Sequence, residues 1–148
     1  MSYITNLRKH IGHQPIINIG ATVIVMNEHN EILLNLRRDT NTWGIIGGAM
    51  ELGESLEQTA ARELMEEANL IAELFEFMDL LSGKELYFKY LNGDETYTVI
   101  ALYKAVNVSG MLKINDNESM KLKYFSLDNL PLLESRAEYV LSKIRSKL

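Results

Sequence analysis

GAMELGESLEQTAARELMEEANL, residues 48–70, is the stretch whose reading decides the rest. Ser55 is a good N-cap, and Gln58 three residues on completes an S-x-x-Q capping box, which predicts a helix from Leu56 to Ala68. On that helix Glu63, Glu66 and Glu67 stand at i, i+3 and i+4, so three carboxylates share one face. Glu63 and Glu67 repel each other, and all three lie in the last two turns, where the helix dipole disfavours anions. Each misplacement costs a few tenths to about 1 kcal/mol. Arg62 is the only cation near them along the helix, and no Lys occurs between Glu51 and Leu81. Clustered carboxylates at a helix C-terminal end suit a hard divalent cation, which takes oxygen ligands. A solvated acidic face is the plainer alternative, but it leaves Gly48, Gly53, Glu54 and Arg62 unexplained.

The same stretch resembles the Nudix box, G-x5-E-x7-R-E-U-x-E-E-x-G-U with U aliphatic, of MutT-type pyrophosphohydrolases. Gly48, Glu54, Arg62, Glu63, Leu64, Glu66, Glu67 and Leu70 fall on its specified positions, and Asn69 stands where the pattern has Gly. Glycine there supplies a left-handed residue after the helix, and Asn is the next most tolerant type. The departure therefore keeps the turn at a small cost in stability.

One chain of 148 residues is the size of a single domain, read here as residues 1–148. Hydrophobic residues at 47% and charged residues at 24% are ordinary for a globular protein. With no cysteine there is no disulfide framework, thiolate metal site or Cys nucleophile. That also weighs against the cysteine-dependent isopentenyl-diphosphate isomerases related to this family. The start lacks a signal-peptide run and no segment approaches a membrane span, so a cytoplasmic location and no membrane partner are expected. A net charge of −5 argues against nonspecific nucleic-acid binding and repels polyphosphates at long range, which makes the site lean on metal.

In chain order, Tyr3, Ile4, Leu7 and Ile11 predict a short helix ended by Gly12; Arg8, Lys9, His10 and His13 nearby are either within reach of an anionic ligand or, more plainly, a solvated face. IINIGATVIVM (16–26) reads as a central strand buried on both faces, and EILLNLRR (31–38) as its hairpin partner across the 27–30 turn. Arg37 shares a face with Asn35. WGIIG (43–47) is a short strand, and ELFEFMDLL (73–81) another. Residues 85–91 and 95–106 flank Asn92-Gly93 as a hairpin with a type I′ turn. KLKYF (121–125) is the last strand, and ESRAEYVLSKIRSK (134–147) an amphipathic closing helix with Ala137, Val140, Leu141 and Ile144 inward. The fold class is α/β, and the Nudix α/β/α sandwich, a mixed sheet between helices, fits.

The resemblance implies water attack at phosphorus on a nucleoside diphosphate derivative, with Mg²⁺ or Mn²⁺ held by Glu63, Glu66, Glu67 and the Gly47 carbonyl. Glu54 and Arg62, eight residues apart across the loop-to-helix junction, are expected to pair and orient the carboxylates. The general base is either Glu63 or, as in relatives that use a late loop, Glu118, with Asp116 as second choice. Arg37 matches an arginine that faces substrate phosphates in the family, and Tyr87 falls where some dinucleoside-polyphosphate hydrolases carry a tyrosine. Nucleoside triphosphates, ADP-ribose, nucleotide sugars, dinucleoside polyphosphates and capped RNA 5′ ends all fit the box. The rival classes are a Nudix-fold nucleotide-binding or regulatory module that does not hydrolyse, and a plain interaction domain.

Overall fold

A computed structural model describes residues 2–148. The helices are α1 (Tyr3–Ile11), α2 (Leu56–Ala68) and α3 (Ser135–Ile144). The strands are β1 (Ile16–Ile24), β2 (Glu31–Arg37), β3 (Trp43–Ala49), β4 (Ile71–Leu81), β5 (Tyr87–Lys89), β6 (Glu95–Ser109) and β7 (Ser119–Ser126). They form one mixed sheet in the order β4-β6-β1-β3-β2-β7, with β5 also paired to β6. Only β1 and β6 run parallel; the other pairs are antiparallel. Helices α2 and α3 each pack on a hydrophobic cluster of the sheet, as the sandwich reading expects.

The helix predicted over 56–68 is present with its bounds and its capping box: Ser55 accepts from Gln58 N, and Gln58 accepts from Ser55 N. Its apolar stripe, Ala60, Leu64 and Ala68, is fully buried against Val23, Leu33 and Ile46. Complete burial of Leu64 contributes about 1.5–3 kcal/mol. Asn69 takes the left-handed conformation at φ 60° and ψ 35°, and its N–H caps Met65 O. Its side chain adds contacts that only a structure reveals: Nδ2 donates to Met111 O and Oδ1 accepts from Asn115. Helix α3 buries Ala137, Val140, Leu141 and Ile144, as its spacing predicts.

Three expectations are corrected. First, β1 and β2 do not form a hairpin. They share only the Met26–Ile32 bridge beyond the turn, and β3 lies between them. Second, β1 is buried on both faces only in its later half, since Ile17 and Ile19 are 77% and 44% exposed. Third, the Asn92-Gly93 turn is not type I′, which needs positive φ at both central residues. Gly93 alone is positive (φ 98°) and donates to Tyr90 O, so a five-residue connection joins Lys89 to Glu95, while residues 84–86 form a 3-10 turn. Helix α1 buries no residue and is held by polar contacts: Arg8 reaches the carbonyls of Gln14 and Glu95, and His13 bonds Asp94. Among the described residues, no helix is long and apolar enough to cross a membrane.

Candidate active site

The site forms where β3 changes partners. Residues 43–45 of β3 pair with β2, and residues 46–49 pair with β1, so the second half of β3 has one edge without a strand. Side chains of α2 occupy that edge. Gly47 N donates to Glu67 Oε2 at 2.9 Å, and Ala49 O accepts from Arg62 Nη2 at 2.8 Å. In an antiparallel strand a residue's N–H and C=O leave toward the same side, so the Gly47 carbonyl also turns to this edge. Gly48 explains itself here: a Cβ on it would overlap the Glu63 carboxylate, which lies against the strand.

Arg62 is the organising cation. Its Nε and Nη2 donate to the two oxygens of Glu54 at 2.7 and 3.0 Å, the pairing its spacing predicts. Nη1 donates to Glu63 at 2.8 Å and Glu66 at 3.3 Å. With the bond to Ala49 these account for all five guanidinium N–H groups. Glu54 also accepts from Thr59 and from Glu51 N. The Arg62 hydrogen bond, with those further donors, depresses the Glu54 carboxyl to about 2.

The other two buried carboxyls shift the opposite way. Burial, followed by repulsion from Glu63, raises Glu67 well above the usual carboxylate range, against the stabilising Gly47 N–H. Burial also raises Glu63, and Arg62 partly offsets it. Glu67 is only 8% exposed, and Asn35 Nδ2 donates to its second oxygen at 3.1 Å. The Glu66 side chain is 54% exposed and turned to Arg62. Among the described residues no three acidic, His or Cys side chains already surround a vacant centre. The donor set nevertheless fits a hard cation: every candidate ligand is oxygen, and two carboxylates sit at raised electrostatic cost.

Of the remaining predicted residues, Arg37 lies near this centre. It is on β2 two residues past Asn35, and its stem borders Gly44 together with Asn35 Oδ1. Its guanidinium is bidentate to Asp39 at 2.9 and 2.7 Å and stands 5.2 Å from the Phe88 ring. Arg136, bonded to Glu134, stacks on Phe88 at 4.0 Å, so two arginines, two acids and an aromatic ring form one layer. Arg38 turns outward to Asn117 O.

Two residues are not brought to the carboxylates. Glu118 is exposed, and its loop presents Asp116 inward instead. Asp116 accepts from Ser119 N at 3.1 Å and contributes to the raised pKa of Glu67. Tyr87 pairs across strands with Tyr97, ring centroids 5.2 Å apart, and donates to Glu95 at 2.5 Å; β6 and β1 separate its strand from β3. Sequence reasoning missed Asn35, Ser119, Phe88, Glu134 and Arg136. The one available signal was Asn35, a polar residue directly after three apolar residues of a strand.

The family model described as NUDIX domain matches residues 17–144. The chain belongs to the NUDIX family. A Bacillus subtilis (strain 168) protein named "Putative 8-oxo-dGTP diphosphatase" is 33% identical over 113 residues, covering 76% of this chain and 69% of that protein. The oxidized purine nucleoside triphosphate hydrolase of Danio rerio is 23% identical over 123 residues, covering 81% and 74%. Among solved structures, a MutT NUDIX hydrolase from Burkholderia pseudomallei superposes with a TM-score of 0.73 at 24% identity, over 88% of this chain and 98% of that one. This Nudix protein is thus of the MutT type, and its enzyme class is pyrophosphohydrolase.

Proposed function

We propose that this Nudix chain is a divalent-metal-dependent hydrolase that cleaves the pyrophosphate linkage of a nucleoside diphosphate derivative by water attack at phosphorus. The observation that carries the reading is the convergence of Glu63 and Glu67 on the open edge of β3, with Arg62 locked beside them by Glu54. Glu63, Glu66, Glu67 and the Gly47 carbonyl would hold Mg²⁺ or Mn²⁺. Such an ion supplies charge neutralisation at phosphate oxygens and a more acidic water.

The chain's own groups do the rest. Glu54 and Arg62 fix the 50–55 loop to α2 and keep the carboxylates aimed at β3. Glu63 serves as general base, because it faces the centre and Glu118 does not. Arg37 receives substrate phosphates, exchanging part of its bond to Asp39. The names of the relatives cover oxidised purine nucleoside triphosphates and, in Methanocaldococcus jannaschii at 28% identity, ADP-ribose. Both substrates share a pyrophosphate on a nucleoside, the class proposed here. A purely binding role accords poorly with a complete set of box carboxylates.

A panel of nucleoside triphosphates, ADP-ribose and dinucleoside polyphosphates, assayed with Mg²⁺ and with EDTA, tests this. At least one should be turned over only with metal, and Glu67→Gln should lose roughly a hundredfold or more. Wild-type turnover by a folded Glu67→Gln protein, or turnover indifferent to EDTA, refutes the assignment.

A further inference from the structure

We propose that Asn35 is a positioning residue that sets Glu67 for metal binding. This rests on the reading of the site given above. Asn35 is 5% exposed on β2, directly after fully buried Leu33 and Leu34. A buried amide is tolerated when its hydrogen-bonding groups are satisfied. Asn35 is satisfied on one side only. Nδ2 donates to Glu67 Oε1 at 3.1 Å and to Ser119 Oγ at 3.0 Å, while Oδ1 is buried and has no partner.

The orientation is dictated by chemistry. An ionised Glu67 can only accept, so the NH₂ group must face it and the carbonyl must point away. It points to Gly44, where a Cβ would stand 3.1 Å from Oδ1. Glycine at that position leaves room for the carbonyl beside the Arg37 stem. Outer groups such as this amide hold ligands in position and are felt in metal affinity.

Asn35 also links Glu67 to the 110–118 loop. Ser119, 2% exposed, accepts from Asn35 and turns its N–H to Asp116 Oδ1 at 3.1 Å, with its Oγ 3.5 Å from Oδ2. The donors run in one consistent direction from Asn35, outward to Glu67 on one side and through Ser119 to Asp116 on the other.

Titration of the full chain with Mn²⁺, followed by the loss of the free-ion electron paramagnetic resonance signal, reads metal affinity without reading activity. Asn35→Ala should weaken Mn²⁺ binding about 10–100-fold, and Ser119→Ala, which leaves the Glu67 contact intact, by much less. Gly44→Ala sets a methyl 3.1 Å from Oδ1 and so presses on the amide that holds Glu67; it should weaken binding several-fold and serves should Asn35→Ala fail to fold. Melts in EDTA accompany each titration. A folded Asn35→Ala protein that melts lower yet binds Mn²⁺ like wild type has lost only structure, and the proposal fails. It fails equally if Ser119→Ala matches Asn35→Ala, since the effect would then run through the loop. An unchanged affinity in folded Gly44→Ala counts against the proposal in the same way. Wild-type protein that binds no Mn²⁺ overturns the site reading itself, and this proposal with it.

Discussion

Glu54→Gln isolates the contact that holds the box together. In the wild type Arg62 bonds both Glu54 oxygens, and the carboxyl is depressed from its ordinary 4.5 to about 2. At about 1.4 kcal/mol per unit the depression corresponds to roughly 3 kcal/mol. Solvent reaching the edge of the pair screens part of this, leaving about 1–2 kcal/mol. The sign follows from linkage: the folded carboxyl is the stronger acid, so the unfolded chain takes up the proton first as pH falls. The stability is therefore complete above about 4.5 and is lost as pH falls toward 2. Glutamine keeps the shape and one acceptor but loses the charge. Metal-free Glu54→Gln should melt about 2–8 °C below wild type at pH 7, and the gap should shrink by half or more by pH 3. Paired thermal melts in EDTA across that range measure it. A gap that stays constant with pH, or its absence at pH 7, would show that the pair is too solvated to matter.

Two further outcomes are expected. Asn69→Val should destabilise by about 1 kcal/mol or more, because a β-branched residue resists φ near +60°, while Asn69→Gly keeps the backbone and loses only the hydrogen bonds with Met111 and Asn115; equal melting temperatures for the two variants would refute the strained-backbone argument. Glu63 and Glu67 have raised carboxyl pKa values, so protons compete with a cation for them and the metal-free fold loses stability as pH rises above 4.5. The upward shift of melting temperature with Mg²⁺ should accordingly be larger at pH 8 than at pH 5, and a pH-independent shift would place the ion away from these two residues.

What the sequence made legible was local. The capping box, the carboxylate face and the left-handed Asn69 are settled within a few residues of each other, and all three appear as read. The Glu54–Arg62 pair spans a loop but has no competing cation nearby, so it too could be anticipated. Strand neighbours were another matter. The 27–30 turn suggested a hairpin, yet β3 separates β1 from β2, because the apolar stripe of α2 must lie over Val23, Leu33 and Ile46 together. No short-range pattern encodes that choice. For the same reason the Asn35–Ser119 contact, across 84 residues, left no periodic trace. In the late loop, composition offered two carboxylates, and only the turn at Ser119 determines that Asp116 faces inward and Glu118 outward.

The arrangement of Arg62 explains how a cluster of like charges survives without a cation and still accepts one. Two of its five N–H groups are bound to Glu54 and a third to the Ala49 carbonyl, contacts that belong to the loop and the strand. The remaining two face Glu63 and Glu66 and lower their mutual repulsion. If those last two carboxylates turn toward a metal, the guanidinium keeps three of its bonds and does not follow them. Glu54 therefore prevents the internal cation from competing freely for the ligands, which is a physical reason for an acid and an arginine eight residues apart to accompany the three glutamates. Removing Glu54 frees Arg62 to pair more closely with Glu63, and the same variant that lowers stability should also gain less from Mg²⁺.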